Sequence, residues 1–222
     1  MMDKGLKITY THIGLKSMGN MFSECEDENY KIVFQKCVKL DDVDLLTVVD
    51  IDNGDDLCAV TIRKCDKLTI PDIAQQIKGR FSTLKARKDE MHKKQTKIGD
   101  YLPAVLVQAI GQIATFLNYN LNISIPAFGL GKHQFGSLTL TNVSTMALLK
   151  DAMAPLVNIT RSSAIMVMCN PQSRVLVKDG KLTTSKIMQV NITLDSRYHD
   201  QNTLPQKINS ILSVWQDPAK FC

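Results

Sequence analysis

The order of patterned segments predicts an α+β fold, a single two-layer domain in which a mixed β-sheet is packed by helices. Three observations carry this. Helical periodicity opens the chain, occupies its middle and closes it. Runs of strand length, apolar or alternating, fall in two groups between those helices. No repeat, linker or low-complexity stretch divides the 222 residues, a length that one core can organise.

Thr11 to Ser23 brings Ile13, Met18, Met21 and Phe22 round at helical spacing, with Thr11 able to cap. An acidic loop follows, and Lys31 to Leu40 is a strand candidate closed by an Asp41-Asp42 turn. Val43 to Ile51 is a nearly continuous apolar run of strand length, read as a strand covered on both faces. Residues 52–56 make a turn. Its acids do not form a calcium loop, because Gly54 falls at the wrong position and no Glu closes it. Leu57 to Arg63 is the returning strand. Thr69-Ile70-Pro71-Asp72 starts a helix, with a cap, an acid three residues on and an early proline. That helix is expected to run to about Lys94 and to bury Ile73, Ile77, Phe81 and Leu84. Tyr101 to Asn118 is apolar almost all round, so it is either buried or packed against another subunit. It carries no Lys or Arg, which argues against a membrane-surface helix.

Residues 123–134 are a loop containing Pro and Gly. Ser137–Val143 and Ser163–Cys169 are strands. Arg174–Lys178 turns through Asp179-Gly180 into a long strand ending at Leu194. Thr203 to Gln216 is the closing helix, with Leu204, Ile208, Ile211, Leu212 and Trp215 expected inward and Asp217-Pro218 as its stop.

Composition narrows the classes of function. Hydrophobic residues make up 44% and charged residues 22%, an ordinary globular balance. No apolar run approaches the roughly 20 residues that span a bilayer, and the first residues carry no secretory h-region. Six dispersed cysteines without a Cys-x-x-Cys pair suggest a reducing compartment and no zinc site. The net charge of +5 owes much to the Lys78–Lys97 stretch, read as a solvated helix face. No aromatic interleaving accompanies it, so nucleic acid is not an expected partner.

One stretch carries a chemical signature. The strand Val190-Asn191-Ile192-Thr193-Leu194 runs into Asp195-Ser196-Arg197-Tyr198-His199-Asp200-Gln201, and a helix follows. This resembles the signature of the dihydrolipoamide acyltransferase catalytic domain, in the superfamily that includes chloramphenicol acetyltransferase: an apolar strand, Asp-His-Arg, two apolar residues, then Asp-Gly. Asp195, Arg197 and Asp200 match. Ser196 stands where the family has its catalytic His, and Gln201 where it has Gly. Gly136 to Val143 resembles the family strand Gly-Thr-Phe-Thr-Ile-Ser-Asn-Leu, with Thr141 at the Ser that supplies a hydroxyl and Asn142 at the Asn. The strand 163–169, the Asp179-Gly180 hairpin, the paired strands near 43 and 57–63, and the helix ending in Asp217-Pro218 resemble family elements in the same order. The resemblance spans Gly5 to Phe221. The family's first helix and strand have no counterpart, and the helix at about 101–118 is an insertion.

The resemblance implies a chloramphenicol acetyltransferase-like two-layer sandwich. It also implies an acyl group moving between coenzyme A and a lipoyl thiol or another acceptor, with no covalently bound cofactor and no metal. In such enzymes a neutral His accepts the proton of the attacking group and a hydroxyl donor stabilises the oxyanion. The implied partners are further copies of the chain, as a homotrimer with the site between subunits or a larger cage, and other subunits of a 2-oxoacid dehydrogenase complex. The implied compartment is the mitochondrial matrix rather than the cytosol.

Carried over residue by residue, the site holds Thr141, Ser196, His199 and Asp200. Asp195, Arg197 and Asn142 are structural, the first two as an ion pair holding the turn. A serine hydroxyl has no pKa near neutrality, and losing a general base costs about 10²–10⁴-fold. His199 falls at an apolar position of the pattern, either as a packing residue or as a displaced base. His133 is expected to be a loop residue, and His12 and His92 match nothing in the family site. Two readings follow: a catalytically degenerate, trimer-forming structural subunit, which is the expectation, or an active acyltransferase with altered acid-base residues.

Overall fold

The computed structural model describes residues 6–25, 28–33, 36–50, 57–82, 103–121, 123, 135–144, 149–156 and 162–222. Helix α1 (Tyr10–Glu24) is followed by β1 (Tyr30–Val33), β2 (Lys36–Lys39), β3 (Leu45–Asp50) and β4 (Leu57–Ile62). Helices α2 (70–82) and α3 (Ala104–Leu121) come next. Then come β5 (Leu138–Asn142), β6 (Ala164–Met168), β7 (Gln172–Lys178), β8 (Lys181–Ile187), β9 (Val190–Leu194) and α4 (Leu204–Gln216).

The central sheet has the order β4-β3-β5-β6-β9. Strand β3 runs antiparallel to β4 and parallel to β5; β5 is parallel to β6, and β6 antiparallel to β9. The parallel pairing of β3 with β5 requires a long crossover, which contains α2 and α3. The α+β architecture with a mixed sheet is the one expected.

Strand alternation sorts side chains onto two faces. Leu138, Leu140, Ala164, Met166 and Met168 meet Leu15, Met18, Met21 and Phe22 of α1 in one core. Val190, Ile192 and Leu194 pack against the same core. Ile165 and Val167 point the other way, against Val143, Ala152, Ala154 and Leu156. Strand β3 is covered on both faces at its start, where Leu45, Leu46 and Thr47 are all buried. The chain turns into β5 through Gly136 at φ +60, where a Cβ would lie 2.0 Å from the Asp44 carbonyl oxygen. Ser137 N–H donates to that same oxygen at 2.7 Å, so the close approach fixes the β3–β5 entry.

The Thr69–Asp72 start signal is a reciprocal capping arrangement. Thr69 Oγ1 donates to Asp72 Oδ2 at 2.7 Å, and Asp72 N–H donates to Thr69 Oγ1 at 3.3 Å. Ile73 and Ile77 face the core as expected. The turn at 52–56, the helix beyond 82 with Leu84, and the loop 124–134 with His133 lie outside the described residues, as does His92.

Several expectations need correction. Thr11 does not cap α1: Thr9 is the cap, and its N–H donates to His12 Nδ1 at 2.9 Å. The Thr11 hydroxyl instead accepts from Asn142 Nδ2 at 2.9 Å. The stretch expected as one strand over 31–40 holds two, β1 and β2, paired antiparallel with Tyr30 opposite Lys39 and Val33 opposite Lys36. Buried Asn29 clamps its base, donating to the carbonyls of Leu40 (3.1 Å) and Asp42 (3.2 Å). The long strand expected to end at Leu194 is broken at Met188-Gln189. The Gln189 carbonyl accepts from Cys169 N–H at 2.9 Å, and β9 joins β6 while β7–β8 stands apart as a two-stranded ribbon.

Helix α4 keeps part of the expected face, with Ile211 in the core and Trp215 packed against it, but is rotated from the rest. Lys207, Ser210, Ile211 and Val214 are buried, whereas Leu204, Ile208 and Leu212 are 39%, 47% and 45% exposed. Polar partners cause the rotation: Asn20 Nδ2 donates to Ser210 Oγ at 2.9 Å, and Lys207 is drawn inward by Glu28. Helix α3 is only partly buried within the chain: Ala114 and Asn118 are buried, whereas Val105, Leu106, Ile110, Ile113, Phe116 and Leu121 are exposed.

Candidate active site

The Asp195–Asp200 turn begins where β9 ends. Asp195 N–H still donates to the Ser163 carbonyl at 2.9 Å, continuing the ladder with β6. The Asp195 carbonyl accepts from the N–H groups of Tyr198 and His199, both at 3.0 Å. Its carboxylate takes Arg197 N–H at 2.9 Å, Nε at 3.0 Å and Nη2 at 2.6 Å. These bonds, the side-chain ones foremost, hold the Asp195 carboxyl below its usual range, and the pairing raises Arg197. Ser196 sits exposed at the apex, while Tyr198 and His199 are buried.

His199 turns inward. Its ring lies 5.9 Å from the Phe22 ring, and its Nδ1 is 2.8 Å from Glu28 Oε2. Glu28 also accepts from Thr203 Oγ1 at 2.6 Å and pairs with Lys207 Nζ at 2.5 Å. Burial pushes the His199 pKa down, more than the Glu28 bond raises it. The imidazole is therefore neutral near pH 7, and the Glu28 bond assigns its proton to Nδ1. Nε2 is left buried with no hydrogen-bond partner. Burial alone would push Glu28 up, but the hydrogen bonds from Lys207, Thr203 and His199 outweigh it and hold the carboxyl low. Lys207 Nζ also donates to the Asp200 carbonyl at 3.1 Å. The Asp200 carboxylate caps the following 3₁₀ turn, accepting from Asn202 N–H at 2.9 Å.

Thr141 and Asn142 lie elsewhere. Thr141 is half-buried on β5, level with Val167 and, one strand further, with Asn191. The turn starts beyond Leu194, level with Ala164 and Leu138. Three residues along the strands and two strand spacings separate them, about 14 Å or more. Asn142 Oδ1 accepts from Ser144 N–H at 2.9 Å while its amide ties β5 to α1 through Thr11. One chain thus brings Asp195, Ser196, Arg197, His199 and Asp200 together, and holds Thr141 and Asn142 at the far end of the sheet. His12 is buried at the start of α1, hydrogen-bonded to Thr9 and remote in sequence from both groups.

Sequence reasoning did not single out Glu28, Thr203 or Lys207. Lys207 shares a helical face with Ile211 and Val214, but nothing local marks that face as the inward one. Among the described residues no group of three or more His, Cys, Asp or Glu is placed to hold a metal ion. No described helix is long and apolar enough to cross a membrane.

No protein-family model matches the sequence, and no curated protein matches it. Solved structures do. The dihydrolipoamide acetyltransferase of Azotobacter vinelandii superposes with a TM-score of 0.63 at 15% identity, over 98% of this chain and 72% of that one. The cubic core of a pyruvate dehydrogenase multienzyme complex gives 0.60 at 15% identity, over 98% and 72%. A truncated catalytic core of the 2-oxoacid dehydrogenase multienzyme complex from Thermoplasma acidophilum gives 0.56 at 17%, over 98% and 78%. The chain therefore has an α+β acyltransferase fold. More narrowly, it has the fold of the dihydrolipoamide acetyltransferase catalytic cores of 2-oxoacid dehydrogenase complexes, and the resemblance read in the sequence holds in three dimensions.

Proposed function

We propose that this chain is a catalytically degenerate acyltransferase-like domain, a trimer-forming structural subunit within or beside a 2-oxoacid dehydrogenase core. One observation carries the reading: at the exposed apex of the turn stands Ser196, while His199, the turn's imidazole, is sealed inside against Phe22 and Glu28. A general base must come within hydrogen-bond reach of the proton it takes, and the His199 Nε2 is buried. The Azotobacter vinelandii enzyme was studied for the roles of a serine, a histidine and an asparagine in its mechanism, the last two four residues apart. Ser196 and Asp200 share that spacing, which supports reading the serine at the histidine's place.

Self-association is supported by two features. Thr141 and the turn lie at opposite ends of the sheet, so only a second copy could set one facing the other. Helix α3 also exposes an apolar surface that wants cover. Coenzyme A and a lipoyl thiol are the ligands such a site would meet, and the mitochondrial matrix is the compartment that goes with the reading.

A second reading, an active enzyme, draws on the state of His199. It is neutral with an unpartnered Nε2, which is what a base requires once exposed. Acetyl transfer from acetyl-CoA to dihydrolipoamide separates the two for the natural chain, Ser196→His and His199→Ala. The natural chain and His199→Ala are expected at background, with activity rising only in Ser196→His. Natural turnover that disappears in His199→Ala would overturn the degenerate reading.

A further inference from the structure

A trough of about 810 Å³ lies between helix α4 and the start of β9. Its volume falls within the roughly 300–1,000 Å³ of binding clefts. Met188, Val190 and Ile192 line one side and also pack on the main core. Ile208 and Leu212, the α4 side chains that the helix's rotation leaves outside the core, line the other. Tyr10 and Trp215, stacked at 6.4 Å, close one end. From Ile208 to Trp215 the helix advances about 10 Å, so the aliphatic wall is long enough for an extended chain.

The charge on this trough has one sign. Lys186, exposed near the end of β8, is the one charged residue that bounds it among the described residues. Its neighbour across the ribbon is Ser173, and no described acid pairs with it. The helix ends do not offset it. Helix α1 begins beside the trough at Tyr10 and α4 ends there just after Trp215, so a positive and a negative dipole end meet. Asp217 and Lys220 follow α4 with opposite signs, and neither bounds the trough. An aliphatic slot with one unbalanced cation at its rim suits an aliphatic chain that carries one anion.

We infer that this trough binds a fatty carboxylate, an unbranched aliphatic acid whose chain lies along Ile192, Ile208 and Leu212 and whose carboxylate meets the Lys186 ammonium. The site is separate from both parts of the candidate active site. The Asp195–Asp200 turn lies beyond the far end of β9. Thr141 is level with Val167 and Asn191, which face the opposite layer, the one that holds Ala152. The inference therefore rests on neither reading of catalysis, and it needs no second copy of the chain.

Trp215 is the one tryptophan of the chain, so its fluorescence reports on the trough directly. The full chain is titrated with octanoate, decanoate and dodecanoate below the concentrations at which they form micelles, with calorimetry as a second readout. Binding is expected to saturate and to tighten about fourfold for each added CH₂. Lys186→Glu, at an exposed position, is expected to weaken decanoate at least about tenfold and to leave decanol unchanged, while Lys186→Arg keeps the affinity. Leu212→Asp, also at an exposed position, weakens both ligands. Circular dichroism and melting temperature check that each variant is folded. Decanol that binds the natural chain as tightly as decanoate, or decanoate binding that ignores Lys186→Glu, overturns the carboxylate. Affinity that does not grow with chain length overturns the trough as the seat of the chain. A Trp215 signal that shifts when the protein alone is diluted, together with a change in sedimentation, shows a second copy in the trough and overturns the inference. Absence of binding by both readouts overturns it too. None of these outcomes bears on the acetyl-transfer test of the proposed function.

Discussion

Glu28→Ala is the sharpest test of what holds the turn. The Lys207 side chain is 1% exposed and the Glu28 side chain 12%, so the substitution strands a buried ammonium. Breaking a buried pair by removing one partner costs about 3–5 kcal/mol. Lys207 keeps the Asp200 carbonyl at 3.1 Å, which places the expectation at the low end, about 3 kcal/mol. His199 and Thr203 lose their acceptor as well. For a domain of this size, about 3 kcal/mol lowers Tm by roughly 6–12 °C. Lys207→Met removes the costly charge and leaves Glu28 with two hydrogen-bond donors, so it should cost less than Glu28→Ala. The double variant Glu28→Ala/Lys207→Met should be more stable than Glu28→Ala alone, a non-additivity expected of groups in contact. Thermal and urea unfolding at pH 7.5 read all three. A Glu28→Ala loss under about 0.5 kcal/mol, the range of featureless surface changes, together with an additive double variant, would refute the reasoning.

Two further outcomes follow. His199 has a folded-state pKa below its ordinary 6.5 because of burial, so its contribution to stability is complete above that value and is lost as pH falls through it. Asp195 and Glu28, also depressed, extend the loss below their ordinary values of 3.8 and 4.5. Unfolding free energy measured from pH 7.5 to 5.5 should fall for the natural chain and fall less for His199→Gln; parallel slopes would contradict it. Gly136→Ala places a methyl 2.0 Å from the Asp44 carbonyl at a positive φ. It should destabilise by more than the roughly 1–3 kcal/mol of backbone strain alone, and a urea midpoint within error of the natural chain would contradict that.

What the sequence made legible was local or periodic. The Thr69–Asp72 cap, the alternation of β5, the continuous apolar run of β6, and the Asp195–Arg197 pair two residues apart are all written within a few positions. What it hid depended on distance. The rotation of α4 is caused by Glu28 and Asn20, and Glu28 meets His199 across 171 positions of chain. Leu204, Ile208 and Leu212 obey helical periodicity as well as Ile211 and Val214 do, so pattern alone could not say which stripe faces the sheet. The break at Met188-Gln189 is equally non-local, since Cys169 supplies the hydrogen bond that draws the chain into β9. In the candidate site, the turn's own bonds were legible and the burial of His199 was not.

That division bears on how such a turn could lose its base and keep its shape. The bonds that fix it belong to the neighbours of Ser196: Asp195 grips Arg197, His199 is anchored on Glu28, and Asp200 caps the next turn. Ser196 is exposed, and none of those bonds passes through its side chain. A substitution at such an exposed apex changes stability by no more than about 0.5 kcal/mol, while removing a base there costs about 10²–10⁴-fold in rate. Catalysis and architecture are thus separable at this one residue. Under the proposed reading, selection that kept the sheet and the buried cluster would leave position 196 free to drift. Selection for acyl transfer would not, and that asymmetry gives Ser196→His its diagnostic value.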